Sequence, residues 1–197
     1  VTAPELVLLG GANGAGKSSL AARYVPDLIA KRAFLNADEV ARTLAPSNAE
    51  SVAIAAGKEV LRRREELFSS RESFCIETTL ATLGLLDLVR RANDAGYLTR
   101  LVFLFTSTPQ LNEFRVKQRV ALGGHNIETD TVRRRHARGL QLLPRYIAAC
   151  REVIILDARG LTHEILRKEG GELSIVDSAG MILLRQAVEA AGGLLTF

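Results

Sequence analysis

The segment Gly11-Ala12-Asn13-Gly14-Ala15-Gly16-Lys17-Ser18 fits G-x-x-x-x-G-K-[ST] at every position, and Gly10 loosens its start further. Before it, Leu6-Val7-Leu8-Leu9 is a short unbroken apolar run, the pattern of a buried parallel strand. After it, Ser18-Ser19-Leu20-Ala21-Ala22-Arg23 reads as a helix start. Strand, glycine loop and helix N-terminus in that order build an anion site. Backbone N–H groups turn inward on phosphate oxygens and the helix dipole adds positive potential. The reading makes Gly11, Ala12, Asn13, Gly14, Ala15, Gly16, Lys17, Ser18 and Ser19 the nucleotide-binding residues. Lys17 reaches the β- and γ-phosphates of ATP, and Ser18 holds Mg²⁺.

Outward from the loop, the chain alternates strands and helices. Ala33-Phe34-Leu35 is a second strand, followed by Asn36-Ala37-Asp38-Glu39. Pro46-Ser47-Asn48 is expected to cap a helix from about 49 to 69, with Val52, Ala56, Val60, Arg63 and Leu67 as its inner stripe. Ser73-Phe74-Cys75-Ile76 is a third strand ending in Glu77-Thr78-Thr79. A helix carrying Leu85, Leu88, Val89 and Ala92 closes at Gly96. Leu101 to Phe105 is the most apolar run and must be central. Two helices joined by Gly123-Gly124 follow, then a fifth strand, Val153 to Asp157. Residues 162–168 and 172–177 flank Gly170-Gly171 as a β-hairpin, and a closing helix covers about 179–191.

This pattern predicts one α/β domain over residues 1–197, three-layered, with a mostly parallel sheet. By analogy with other P-loop kinases the expected strand order is 2-3-1-4-5. A helical arginine lid is expected at about 108–149, and the hairpin and helix occupy about 160–197. The chain has 197 residues, 47% hydrophobic and 24% charged, ordinary globular values. No apolar run approaches spanning length, and the strand-like start excludes a signal peptide, so the expectation is a cytoplasmic protein with no membrane partner. Cys75 and Cys150 are expected as reduced core residues. The net charge of +4 does not separate nucleic acid from anionic small molecules as partners.

Three groups fit phosphoryl transfer, which needs an aligned acceptor and charge neutralisation. Asp38, at the carboxyl end of the second strand, can take the acceptor proton; otherwise it or Asn36 starts the next helix. Glu77 can hold Mg²⁺ through water or bind the acceptor hydroxyl, with Thr78 and Thr79 adding hydrogen bonds. Arg115, Arg119, Arg133, Arg134, Arg135 and Arg138 ride on the two helices of the lid, a pair on a flexible joint that swings arginines onto the phosphates. Among them Arg119 and Arg134 are selected as catalytic, alongside Lys17 and Asp38. His125 is a lone loop histidine, and Arg62-Arg63-Arg64 reads as a solvated face.

Taken in order, the P-loop, Asn36-Ala37-Asp38-Glu39, Glu77-Thr78-Thr79-Leu80, Arg119 to His125 and Arg133-Arg134-Arg135 resemble the zeta-toxin family of P-loop kinases, its short branch most closely. The resemblance covers about residues 5–157. It implies an ATP-dependent kinase whose acceptor is a hydroxyl of UDP-N-acetylglucosamine or a related nucleotide sugar, and an antitoxin partner in toxic members. It also implies that Asp38 is the general base, that Glu77 contacts the substrate and that lid arginines contact phosphates. The chain is shorter than the well-studied toxins and carries less sugar-binding structure. Three rivals stand beside this reading: a metabolic or antibiotic-modifying kinase, a 5′-hydroxyl polynucleotide kinase, and a nucleotide-dependent switch without an acceptor. With 5% aromatic residues and no stacking platform, a nucleic-acid acceptor is disfavoured.

Overall fold

The computed structural model of the chain describes residues 2–24, 26–30, 33–45, 49–124 and 126–197. The expected cap Pro46-Ser47-Asn48 and the loop histidine His125 lie outside the described residues.

The apolar run at the start forms β1 (Glu5–Gly11), with Leu6, Val7, Leu8 and Leu9 all buried. It is flanked on both sides by parallel strands, β3 (Phe74–Thr78) and β4 (Leu98–Phe105), which explains why it lacks polar alternation. Beyond β3 lies the two-residue β2 (Phe34–Leu35), and beyond β4 lies β5 (Glu152–Asp157), both parallel. The order is therefore 2-3-1-4-5, as expected. Gly10 pairs with Thr78, Gly11 with Leu104 and Phe105 with Asp157, so the carboxyl ends of the parallel strands share one edge.

The hairpin also forms, as β6 (His163–Glu169) and β7 (Glu172–Ile175). Gly170 and Gly171 turn between them with φ of 59° and 87°, both in the left-handed region that such a tight turn requires. What the sequence reading did not contain is its docking. β6 adds antiparallel to β5, with Ile155 opposite Leu166, so the sheet grows to β2-β3-β1-β4-β5-β6-β7.

The helices α1 (Lys17–Tyr24), α2 (Pro26–Ala30), α3 (Ala37–Leu44), α4 (Ala53–Ser69), α5 (Gly84–Asp94), α6 (Pro109–Ala121), α7 (Thr129–Ala149) and α8 (Ser178–Ala190) surround the sheet. A 3₁₀ turn at Ala49–Val52 precedes α4, so that helix starts later than expected and has no side-chain cap at Val52. Among the described residues no helix is long and apolar enough to cross a membrane. The core is continuous: Leu85, Leu86, Leu88, Val89 and Ala92 of α5 bury against the sheet, and Tyr97 stacks on Phe68 at 5.4 Å. Cys75 and Cys150 are buried free thiols; burial pushes both upward, Cys150 to about 12.

Packing describes the two helices of the expected lid. The long helix α7 buries Val132, His136, Leu140, Leu143, Tyr146 and Ile147, so most of it is core. Gly139 lies against the chain after β3: a methyl group there would stand 2.5 Å from the Thr79 carbonyl oxygen. The Gly123-Gly124 joint is a helix stop. Gly124 N–H donates to Arg119 O at 2.9 Å and Gly123 N–H to Val120 O at 2.9 Å, the two bonds of a Schellman motif. Gly123 supplies the positive φ of 84° that this motif needs.

Candidate active site

The P-loop leaves β1 with Gly11 at φ 144° and bends through Gly14 at 79° and Gly16 at 97°, conformations an L side chain resists. Gly14 is also constrained by space, since a methyl group there would meet the Asn112 carbonyl oxygen of α6 at 2.7 Å. The loop is thus clamped between β1 and α6. Lys17 opens α1 and is only 6% exposed. Its ammonium donates to Gly11 O at 2.9 Å and Ala12 O at 3.0 Å, and stands 3.8 Å from Glu77 Oε1. Burial pushes its pKa down, opposed by the negative charges of Glu77 and Asp38 and reinforced by the positive charges of Arg119 and Arg135. All four charges thus lie within electrostatic reach of the loop lysine.

Glu77 is the hub on the neighbouring strand. It is the fourth residue of β3, not a residue beyond it, and faces the loop from there. Oε2 accepts from the Ser18 hydroxyl at 3.0 Å and from Asn36 Nδ2 at 2.9 Å. Burial raises its pKa, offset chiefly by Lys17. The turn after it is fixed by Leu80, which is fully buried at φ 55°. A left-handed leucine costs about 1–2 kcal/mol. The Leu80 side chain packs on Gly10, and its N–H donates to Thr78 Oγ1 at 3.0 Å. Thr78 thus serves its own turn, while Thr79 borders a small cavity with Ala12, Arg135 and His136.

Asn36 resolves the alternative left open for the second strand. It is the N-cap of α3, accepting from Asp38 N–H at 2.8 Å and Glu39 N–H at 3.3 Å. Asp38 sits in the first helical turn with its carboxylate exposed and uncommitted to capping. A cavity of about 710 Å³ opens between β2, α3 and α4, with Phe34, Asn36, Glu39, Val40, Glu59 and Arg63 in its wall; Asp38 does not line it.

The six arginines separate by helix face, with Arg138 exposed and turned to Gln141 Oε1 of its own helix. Arg135 of α7 donates to Asn13 Oδ1 in the P-loop at 3.3 Å. Arg119 of α6 lies with its stem under Gly124. Arg134, selected in the sequence, is exposed and turns to Thr131 Oγ1 of its own helix at 3.5 Å. Arg133 forks onto Glu113, joining α7 to α6, and Arg115 donates to Ala158 O at 2.8 Å, joining α6 to the end of β5. The residue brought to the loop is therefore Arg135 in place of Arg134. A signal for it was present. Arg135 follows Val132 by three positions and adjoins the buried His136, so it flanks the inner stripe of α7, whereas Arg134 points away. His136 Nε2 meets Thr106 O at 2.9 Å, and its pKa is lowered by burial.

Against known proteins, a family model described as an AAA domain matches residues 6–157. A protein of Haemophilus influenzae described as uncharacterized is 27% identical over 126 residues, 64% of this chain and 88% of that one. A chain from the crystal structure of AvrRxo1-ORF1:-ORF2 with ATP superposes with a TM-score of 0.76 at 19% identity, over 92% of this chain; the match spans 63% of that longer chain. A chain from the PezAT toxin–antitoxin system of Streptococcus pneumoniae superposes with a TM-score of 0.58 at 16% identity, over 95% of this chain and 87% of that one. These structures share the fold.

Proposed function

The chain belongs to this AAA-domain family, and from that premise we propose that it is an ATP-dependent kinase acting on the hydroxyl of a small acceptor. The observation that carries the proposal is a complete P-loop whose Lys17 meets the strand carboxylate of Glu77 at 3.8 Å, with the exposed Asp38 carboxylate within electrostatic reach of the same lysine.

The donor set suits ATP with Mg²⁺. Gly14 and Gly16 hold the left-handed backbone of a phosphate cradle, and the Ser18 hydroxyl and Glu77 carboxylate, 3.0 Å apart, are the hard oxygen donors that Mg²⁺ prefers. Held there, Mg²⁺ would supply neutralisation of the phosphate charge. The protein's own residues do the rest. Lys17 exchanges its loop carbonyls for phosphate oxygens. Arg135 and Arg119 supply further positive charge on the α6–α7 side. Asp38 accepts the proton of the acceptor hydroxyl as its oxygen bonds to the γ-phosphorus and the bond to the ADP oxygen breaks. Glu77 orients Ser18 and Asn36 around that exchange.

The sequence resemblance to zeta toxins names the acceptor more finely, as a nucleotide sugar such as UDP-N-acetylglucosamine, and adds an antitoxin partner. The shared fold with a chain of the PezAT toxin–antitoxin system supports the antitoxin part of that reading; the sugar rests on the sequence resemblance alone. The test is incubation with ATP, Mg²⁺ and candidate acceptors, with products weighed by mass spectrometry. Gain of one phosphate on an acceptor is expected; ATP hydrolysis indifferent to every acceptor contradicts kinase chemistry and favours a switch.

A further inference from the structure

The second strand is too short to fix its own end. β2 has two residues, and Leu35 opposite Ile76 is its last pair with β3. The parallel register then sets Asn36 beside Glu77, one residue past that pair on each chain segment. Asn36 is 5% exposed and uses both ends of its amide. Oδ1 accepts from Asp38 N–H at 2.8 Å and Glu39 N–H at 3.3 Å, while Nδ2 donates to Glu77 Oε2 at 2.9 Å. The partners dictate the orientation of the amide: two N–H groups demand the oxygen and a carboxylate demands the NH₂.

A helix cap alone does not call for this residue, since Ser, Asp and Asn cap about equally well. The second bond does. Aspartate has no donor to offer and would set another negative charge against Glu77, and a serine hydroxyl ends a bond short of Nδ2. Asparagine is the short side chain that carries an acceptor and a donor at one tip.

The contacts run on across three elements. The Glu77 oxygen that receives Asn36 also receives the Ser18 hydroxyl of α1 at 3.0 Å, and Lys17 stands 3.8 Å from the other oxygen. Asp38 is therefore tied by its own backbone N–H to Asn36, through Asn36 to Glu77, and through Glu77 to the first turn of the P-loop helix.

Resting on the kinase reading above, we propose that Asn36 is a positioning residue whose amide fixes where the Asp38 carboxylate stands relative to the nucleotide pocket. It moves no proton itself. Its bonds set the start of α3 against β3 and α1, and misplacing a reacting group by about 1 Å can slow a reaction by about 10²-fold.

A double-mutant cycle separates this role from a plain cap. Asn36→Ser keeps the cap and removes the bond to Glu77; Asn36→Thr does the same with a bulkier side chain, should the serine variant not fold. Each is measured alone and together with Asp38→Asn, as initial rates of ADP release with UDP-N-acetylglucosamine as acceptor, and with water where the sugar is not used. Alone, the substitution should lower kcat by about ten- to a hundredfold while KM for ATP holds, because Ser18 and Lys17 remain on Glu77. Beside Asp38→Asn it should cost about twofold or less, since no base is left to misplace. Native kcat, a raised KM for ATP in place of the lowered kcat, an equal loss in both backgrounds, or failure of both variants to fold overturns the positioning role and leaves the kinase reading standing. Asp38→Asn at the native rate, or no ADP release by the native chain with either acceptor, removes the base from the kinase reading and this proposal with it.

Discussion

The Ser18 hydroxyl of the P-loop donates to Glu77 Oε2 at 3.0 Å, across the seam between β1 and β3. That one bond joins the helix end that receives phosphate to the strand end that supplies a carboxylate. Replacing Glu77 by Gln keeps the size and an acceptor oxygen but removes the charge that opposes the burial of Lys17. Expected are weaker Mg²⁺ dependence of ATP binding and a fall in turnover, measured by titrating Mg²⁺ at fixed ATP. Unchanged Mg²⁺ dependence would assign Glu77 to the acceptor side alone.

Lys17→Ala removes the cation meant for the β- and γ-phosphates, so transfer should fall by orders of magnitude while the loop persists. The loop is held by Gly14 against Asn112 and by backbone geometry at Gly16 as well as by the lysine's bonds to Gly11 O and Ala12 O. A folded protein with a lowered melting temperature and lost turnover is the expected outcome, since the buried carbonyls and Glu77 lose their partner; retained turnover contradicts the nucleotide site.

Arg135→Ala should lower turnover far more than Arg134→Ala. Only Arg135 touches the P-loop, through Asn13, and exposed arginines such as Arg134 contribute little to stability. Steady-state kinetics of the two variants decide it. Equal losses would return Arg134 to the site.

Gly139→Ala tests how α7 positions the turn after Glu77. The added methyl would sit 2.5 Å from Thr79 O, so helix or turn must shift. Overpacking of this kind costs about 1–3 kcal/mol, read as a lowered denaturation midpoint. A neutral substitution would mean that the turn adjusts freely.

His163 accounts for a pH dependence away from the site. Its pKa is raised by the Leu161 carbonyl, then by Asp177, which it meets at 3.1 Å while that aspartate caps α8. A raised histidine stabilises the fold below its ordinary pKa of about 6.5, and that contribution is lost as pH rises through the raised value. The amide-exchange protection factor at the start of α8, referred to the intrinsic rate at each pH, should therefore fall modestly from pH 6 to 8, and His163→Ala should flatten the trend. A protection factor independent of pH in the native chain would dismiss the contact.

The contiguous parts of this architecture were legible because their causes are local. The run Leu6–Leu9, the glycine loop and the helix start are adjacent in sequence, and β1, P-loop and α1 form from that adjacency. The hairpin turn at Gly170-Gly171 is local too, but its docking on β5 depends on Leu166 meeting Ile155, a contact no spacing announces. The three successive arginines 133–135 point in directions about 100° apart on α7. Which one meets the loop is set by His136 and Gly139 turning inward against Thr106 and Thr79. The Gly123-Gly124 pair has the composition of a hinge as well as that of a Schellman stop, and the bonds to Arg119 and Val120 show the stop.

Phosphoryl transfer to a hydroxyl through Asp38 is the central claim, and Asp38→Asn tests it most directly. The amide is nearly isosteric, and the α3 cap is made by Asn36 and the Asp38 backbone, so the helix start is untouched. In a single-turnover measurement with ATP, Mg²⁺ and acceptor, nucleotide binding should be unchanged while transfer slows by ~10² to 10⁴. Transfer at the native rate, or loss of ATP binding instead, would contradict the account.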